Sequence, residues 1–152
     1  MKTEVVRLVT FLIGDGLFAV DVHSVERVLR HQGASSVTDL PEWIEGVIEY
    51  QGQVIPIVDL RRRIEVANPA RDPESRVLVL STRTGWVGAI VDSVLAVAVV
   101  PKTDVSPPPA LFRGLSGDFI RGVAKIGEQL AVILHIDHML TSTDRIVLEP
   151  VQ

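Results

Sequence analysis

The side chains able to do chemistry in this 152-residue chain are few. There are four histidines, two strand-ending aspartates, one serine in a Gly-Leu-Ser-Gly run and an arginine triplet. His135 and His138 flank Ile136-Asp137, and residues three apart on a helix share a face, so they offer a metal two ring nitrogens. No HExxH pattern and no second ligand pair accompanies them, which makes capping or solvent-facing histidines the better reading. Asp21 and Asp59 each close an apolar run; a carboxylate pair can do acid–base work, but such aspartates more often cap the next turn. In Gly114-Leu115-Ser116-Gly117-Asp118 the position two after the serine holds Asp118, where a nucleophile elbow needs glycine. Arg61-Arg62-Arg63 can contact phosphate, yet reads first as a solvated face of an acidic protein. Trp43, Trp86, Phe112 and Phe119 are too dispersed for a base-stacking platform. There is no cysteine, no GxxxxGK[ST] loop and no GxGxxG. Nothing converges on a reaction, a metal or a cofactor, so contact with other proteins is the expected function.

The elements that position these residues are strands. Val and Ile make up about a quarter of the chain, and β-branched side chains suit a pleated, half-buried surface. Eleven glycines and nine prolines fall mostly between the Val/Ile runs, the pattern of an all-β sandwich or barrel with a few short helices. The formal charge of −4 gives no support to nucleic acid or an acidic membrane surface as partner. The longest strongly apolar stretch, 93–100, has the length of a strand and not of a membrane span. The N-terminus, broken by Glu4 and Arg7, does not read as a signal peptide, and a cytoplasmic location is expected.

The spacing predicts strands over 5–13 and 17–21 around Gly14-Asp15-Gly16, then a short helical turn and a strand through Val25 and Val28. A second hairpin spans 46–50 and 53–58 around Gln51-Gly52, with Pro56 marking an edge or a bulge. Asp59 is placed to cap a short helix, and 67–74 reads as a loop dividing two halves. Strands follow over 76–81, 86–91 and 94–100, then a hairpin over 119–126 and 129–134 around Gly127-Glu128 and a short terminal helix from 136. The halves repeat. Residues 17–25 line up with 86–94, and 46–47 with 54–60 line up with 122–123 and 130–136. Two small barrels of roughly five strands explain this order, with one larger sandwich as the alternative. The approximate subdomains are 14–66 and 76–126 within a single domain, 1–152, with the N- and C-terminal segments packing across them.

Several segments together resemble CheW, the coupling adaptor of bacterial chemosensory arrays. Phe11-Leu12-Ile13-Gly14 with Phe18-Ala19-Val20-Asp21-Val22 is similar to the family's opening. Gly46-Val47-Ile48, then Gly52-Gln53-Val54-Ile55-Pro56-Ile57-Val58-Asp59-Leu60-Arg61, is close to its central G-V-I…G-x-V-I-P-V-I-D-L-R. Gly88 with Ile90-Val91-Asp92-Ser93-Val94, Pro107-Pro108-Pro109 and Phe119-Ile120-Arg121-Gly122-Val123 resemble later elements, so the likeness runs over about 5–140. The resemblance implies two five-stranded SH3-like barrels around a shared core and no catalysis. It implies bridging between a chemoreceptor's cytoplasmic tip, docked in an apolar groove between the barrels, and the regulatory domain of a CheA-type histidine kinase. It also implies recruitment to arrays at the inner membrane without membrane insertion, and admits ring assembly with the kinase or with itself.

The resemblance carries over residue by residue. Val25, Gly46 and Gly88 match positions around the receptor groove, where glycine lets a helix approach the backbone; turns or bulges are the alternative explanation. Arg27 stands where the family has glutamate and Gln51 where it has arginine, so an acid–base pair has become arginine facing glutamine. Changing both avoids stranding a buried charge and suggests altered partner specificity. Ser106 and Leu111 match a kinase-side surface. Two other functions stay open: an accessory CheW-like scaffold of a non-chemotaxis pathway, and a small barrel binding a metabolite.

Overall fold

A computed structural model describes residues 4–30, 44–60, 75–83, 85–107 and 120–136. They form ten strands: β1 Val5–Ile13, β2 Gly16–Asp21, β3 Val25–Arg30, β4 Ile44–Tyr50, β5 Gln53–Asp59, β6 Arg76–Thr82, β7 Gly85–Val91, β8 Ser93–Pro101, β9 Ile120–Ile126 and β10 Gln129–Leu134. Two short 3-10 turns, Val22–Ser24 and Lys102–Asp104, follow β2 and β8. The fold is all-β. One five-stranded sheet has the order β8-β1-β2-β10-β9 (barrel I) and the other β3-β6-β7-β5-β4 (barrel II).

Alternation along the strands divides the apolar residues among three compartments, because successive side chains point to opposite faces. Leu8, Ala19, Val100, Ala124 and Ile133 fill the interior of barrel I. Ile57, Val77, Ile90, Tyr50, Ile55 and Val79 fill that of barrel II. The opposite faces meet in a shared core, with Phe11, Val20 and Leu134 from one barrel against Leu78, Val87 and Val91 from the other. Within it Phe11 and Phe18 stack at 6.2 Å between ring centroids.

The internal repeat is real, and it is matched at the level of register. The hairpin β1–β2 pairs Ile13 with Gly16 and Leu8 with Asp21. Its counterpart 69 residues on, β6–β7, pairs Thr82 with Gly85 and Val77 with Ile90. The hairpin β4–β5 pairs Tyr50 with Gln53 and Val47 with Pro56. Its counterpart 76 residues on, β9–β10, pairs Ile126 with Gln129 and Val123 with Val132. Even the irregularities correspond, between Ile44 and Gly46 in one hairpin and between Ile133 and Leu134 in the other.

The two barrels do not follow the sequential division 14–66 and 76–126. Barrel II is one continuous stretch, β3 to β7, while barrel I joins β1 and β2 to β8, β9 and β10. The reason lies in two parallel pairings. Strand β10 lies on β2, with Ile133 beside Ala19, and β5 lies on β7, with Ile57 beside Gly88. Each repeat thus places its first two strands in one barrel and its last three in the other.

Pro56 is a second difference. Strand β5 is interior, between β7 and β4, and not an edge. The hairpin's flanking pair Tyr50–Gln53 sets an alternation in which the Val47–Pro56 pair exchanges no hydrogen bonds across to β4. The missing N–H therefore faces β7, whose pairing begins one residue later at Ile57.

The chain crosses between barrels at two corners. At the first, Asp21 accepts a hydrogen bond from the His23 backbone N–H at 2.9 Å, the capping role expected of it. At the second, the Asp92 carboxylate accepts from the Gly14 N–H at 2.6 Å, tying the corner to the β1–β2 turn. The helix expected after Asp59 and the terminal helix fall almost wholly outside the described residues.

Candidate protein-binding site

All five residues expected around a receptor groove lie in barrel II. Val25 opens β3, half-buried against the shared core. Arg27 is exposed on the same strand, beside a register shift between Val25 and Arg27. Gly46 is buried in β4 with φ 149°, a backbone conformation that glycine alone adopts without strain. Gln51 is exposed at the β4–β5 turn with φ 48°. Gly88 is buried at the middle of β7.

The two glycines have an internal explanation. Gly46, Ile57 and Gly88 form one row across β4, β5 and β7. A Cβ on Gly88 would run into Ile57 Cδ1 and come within 2.9 Å of Val77 Cγ1. The room over Gly88 is thus filled by its own barrel, the packing alternative to a groove. Arg27 on β3 and Gln51 at the turn following β4 belong to opposite ends of the sheet order, and among the described residues no hydrogen bond or ion pair joins them. The sheet curls, since Leu29 of β3 and Ile48 of β4 pack on the same interior clusters.

Ser106 has a backbone role. Its N–H donates to the Val123 carbonyl at 2.8 Å, and the Val123 N–H donates back at 2.9 Å. This isolated bridge carries the chain beyond β8 against β9 and closes barrel I. Gly122 makes the approach feasible, because a Cβ there would sit 2.7 Å from the Ser106 carbonyl oxygen. Leu111 lies outside the described residues, as do His138, Arg61-Arg62-Arg63, Ser116, Trp43, Phe112 and Phe119.

Of the polar candidates, Asp21 and His135 line one cleft with Ser24 and Arg121, while Asp59 stands apart from them. Asp21 ends a strand of barrel I and Asp59 one of barrel II. Asp21 is engaged by His23 Nδ1 at 2.9 Å and Arg121 at 3.6 Å. Partial burial pushes its pKa up, but the hydrogen bonds from His23 and the nearby charges of His23 and Arg121 outweigh this and leave it below the ordinary value. Among the described residues no three His, Asp or Glu side chains are grouped to hold a metal ion. No helix there is long and apolar enough to cross a membrane.

The surface feature that residue-by-residue matching missed is on β8. Leu95, Val97 and Val99 are all more than half exposed, at 52%, 54% and 57%. Val97 and Val99, two apart, share one face, while Leu95 falls at the register shift opposite Thr10, where the strict alternation is interrupted. Val97 lies opposite Val9, whose side chain enters the shared core, so the ridge continues that core into solvent. The corresponding residues of β3 are Glu26, Val28 and Arg30, a single valine between charges. The signal was present in the sequence: 94–100 is apolar on both faces, yet an edge strand can bury only one.

Comparison with known proteins gives a consistent result. The family model of the CheW-like domain matches residues 7–144. The chain is 26% identical to "Chemotaxis protein CheW" of Treponema pallidum over 148 residues, covering 95% of this chain and 87% of that protein. It is 30% identical to "Probable chemotaxis protein CheW" of Rhizobium etli, covering 90% and 88%. It is also 30% identical to "Protein FrzA" of Myxococcus xanthus, covering 82% and 78%. Among solved structures, the scaffolding protein TtCheW from Thermoanaerobacter tengcongensis superposes with a TM-score of 0.83 at 25% identity, covering 90% of this chain and 92% of that one.

Proposed function

The chain belongs to the CheW-like domain family, and from that premise we propose that it is a non-enzymatic adaptor coupling chemoreceptor signalling tips to a CheA-type histidine kinase. The observation that carries this reading is the β8 ridge. Exposed Val97 and Val99 on one face of β8, continuous with the core between two barrels, with exposed Leu95 next along the strand at the register shift, suit the apolar face of a partner helix. The relatives named for chemotaxis and the scaffolding protein of the same fold support the same role. In this reading the receptor helix lies along Leu95, Val97 and Val99, bordered by Val25 at the shared core. The kinase regulatory domain meets the barrel ends, where Ser106 leads into the segment holding Leu111.

The test is calorimetric titration with the kinase regulatory domain and then with a receptor-tip helix. Saturable binding to both is expected. Val97→Asp should weaken the receptor arm about tenfold, or about 1.4 kcal/mol, without moving the kinase arm. Silence toward both partners in the unmodified protein would refute the adaptor role. A second reading, an accessory scaffold with changed partner choice, rests on Arg27 and Gln51. Both are exposed, so Arg27→Glu with Gln51→Arg should transfer preference toward a receptor that ordinary family members bind; unchanged preference would remove this reading.

A further inference from the structure

The β8 ridge ends at Val99, which pairs across to Arg7. Beyond it lies a cleft of about 340 Å³ at the end of barrel I where β1 and β9 begin and β2 and β8 finish. Its charged lining is Arg7, Lys102, Arg121 and His23 with Glu4 and Asp21. The two acids are engaged: Glu4 with Lys102 at 3.4 Å, Asp21 with His23 and Arg121. Arg7 is exposed and has no hydrogen-bond or ion-pair partner among the described residues. Three permanent cations against two carboxylates leave a locally positive cleft on a chain of net charge −4.

Folding does not require this concentration of charge, and the repeat shows why. The backbone of barrel II reproduces the same corner, yet the positions corresponding to Asp21, His23 and Arg121 hold Ile90, Asp92 and Glu45, while Arg7 keeps a cationic counterpart in Arg76. With the register kept, the positions of His23 and Arg121 turn acidic and that of Asp21 apolar, so the fold does not fix these side chains of barrel I and they are free to serve recognition.

We propose that this cleft docks an acidic segment of a protein partner, whose carboxylates meet Arg7 and Arg121 while its apolar residues continue onto Val99. A peptide suits the site better than a small anion: the cations come from four separate elements and do not converge on one point, and the apolar ridge is contiguous. The inference rests on the adaptor reading only in expecting a protein partner.

The probes are a short peptide bearing glutamates and leucines, its twin with glutamine for glutamate, and inorganic phosphate, each titrated while amide resonances are followed. The glutamate peptide should move the resonances of residues 4–7, 21–24, 102 and 121 and bind more tightly than its twin. Arg7→Glu should weaken it roughly fivefold, and Arg121→Gln should weaken it in the same direction. Equal affinity for the twin, shifts elsewhere, no response to Arg7→Glu, or the same shifts from phosphate alone would each overturn the proposal. If Arg7→Glu leaves kinase and receptor binding intact but abolishes the peptide response, the cleft serves an acidic partner distinct from those two. If the unmodified protein binds neither kinase nor receptor, the adaptor reading falls and the peptide titration still decides the cleft.

Discussion

Barrels I and II share one backbone plan and differ in almost everything they show to a partner. Their hairpins pair in the same register with irregularities at corresponding places. Their outward residues diverge: β8 shows Leu95, Val97 and Val99 where β3 shows Glu26, Val28 and Arg30. The corner of barrel I holds His23 and Arg121 where that of barrel II holds Asp92 and Glu45. Hydrogen-bonded register and buried volume constrain the inside of each copy, since both cost free energy when disturbed. Nothing of that kind constrains the outside, so the two copies are free to specialise there.

The inside of the comparison can be broken at the glycines. Gly122→Val should cost about 3 kcal/mol by urea unfolding, because the new side chain collides with the Ser106 backbone and opens the two bonds closing barrel I. A stability within about 0.5 kcal/mol of the parent would show that this closure contributes little. Gly88 and Ala19 hold corresponding places in the two barrels, beside Ile57 and Ile133. Gly88→Ala should cost about 2 kcal/mol by crowding Val77 and Ile57. Ala19→Gly should cost about 1 kcal/mol through lost packing and added chain freedom. Equal penalties would mean that the corresponding sites are not packed differently.

A finer difference lies at Thr10. Its hydroxyl donates to the Ala96 carbonyl at 2.9 Å and accepts from the Ala96 N–H at 3.3 Å across a register shift, and the corresponding residue of barrel II is Val79. Thr10→Val should destabilise by about 1 kcal/mol, with faster hydrogen exchange at Ala96 as the local signature. The smallest effect is expected at Asp21. Its pKa lies below 3.8 in the folded state, so it contributes stability at pH values above 3.8 that disappears as pH falls through the folded pKa. Asp21→Asn should remove that portion of the acid dependence, amounting to no more than about 0.5 kcal/mol because the group is partly solvated. An acid-unfolding curve identical to the parent's would sharpen the view that this corner is kept for recognition rather than stability.

How much of this was legible beforehand differs by level. Every described strand was readable from Val/Ile runs and Gly punctuation, because period-2 patterning is a local property. The equivalence of residues 17–25 with 86–94 was readable too, since it lies in the letters. Which repeat's hairpin lies on which strand was not. Pairing β10 with β2 rather than β5 with β2 changes no local pattern, and the same apolar alternation satisfies either choice.

The candidate site divides along the same line. The amino-acid sequence by itself determined the strands, the repeat and the absence of any concentrated catalytic motif, because these follow from residue type and spacing. Only the tertiary structure decided that the Gly88 position is occupied by Ile57 and Val77, that Ser106 closes a barrel through its backbone, and that Leu95, Val97 and Val99 stand in solvent. Exposure depends on what lies across each face, and a strand carries no local record of whether its second face will be covered.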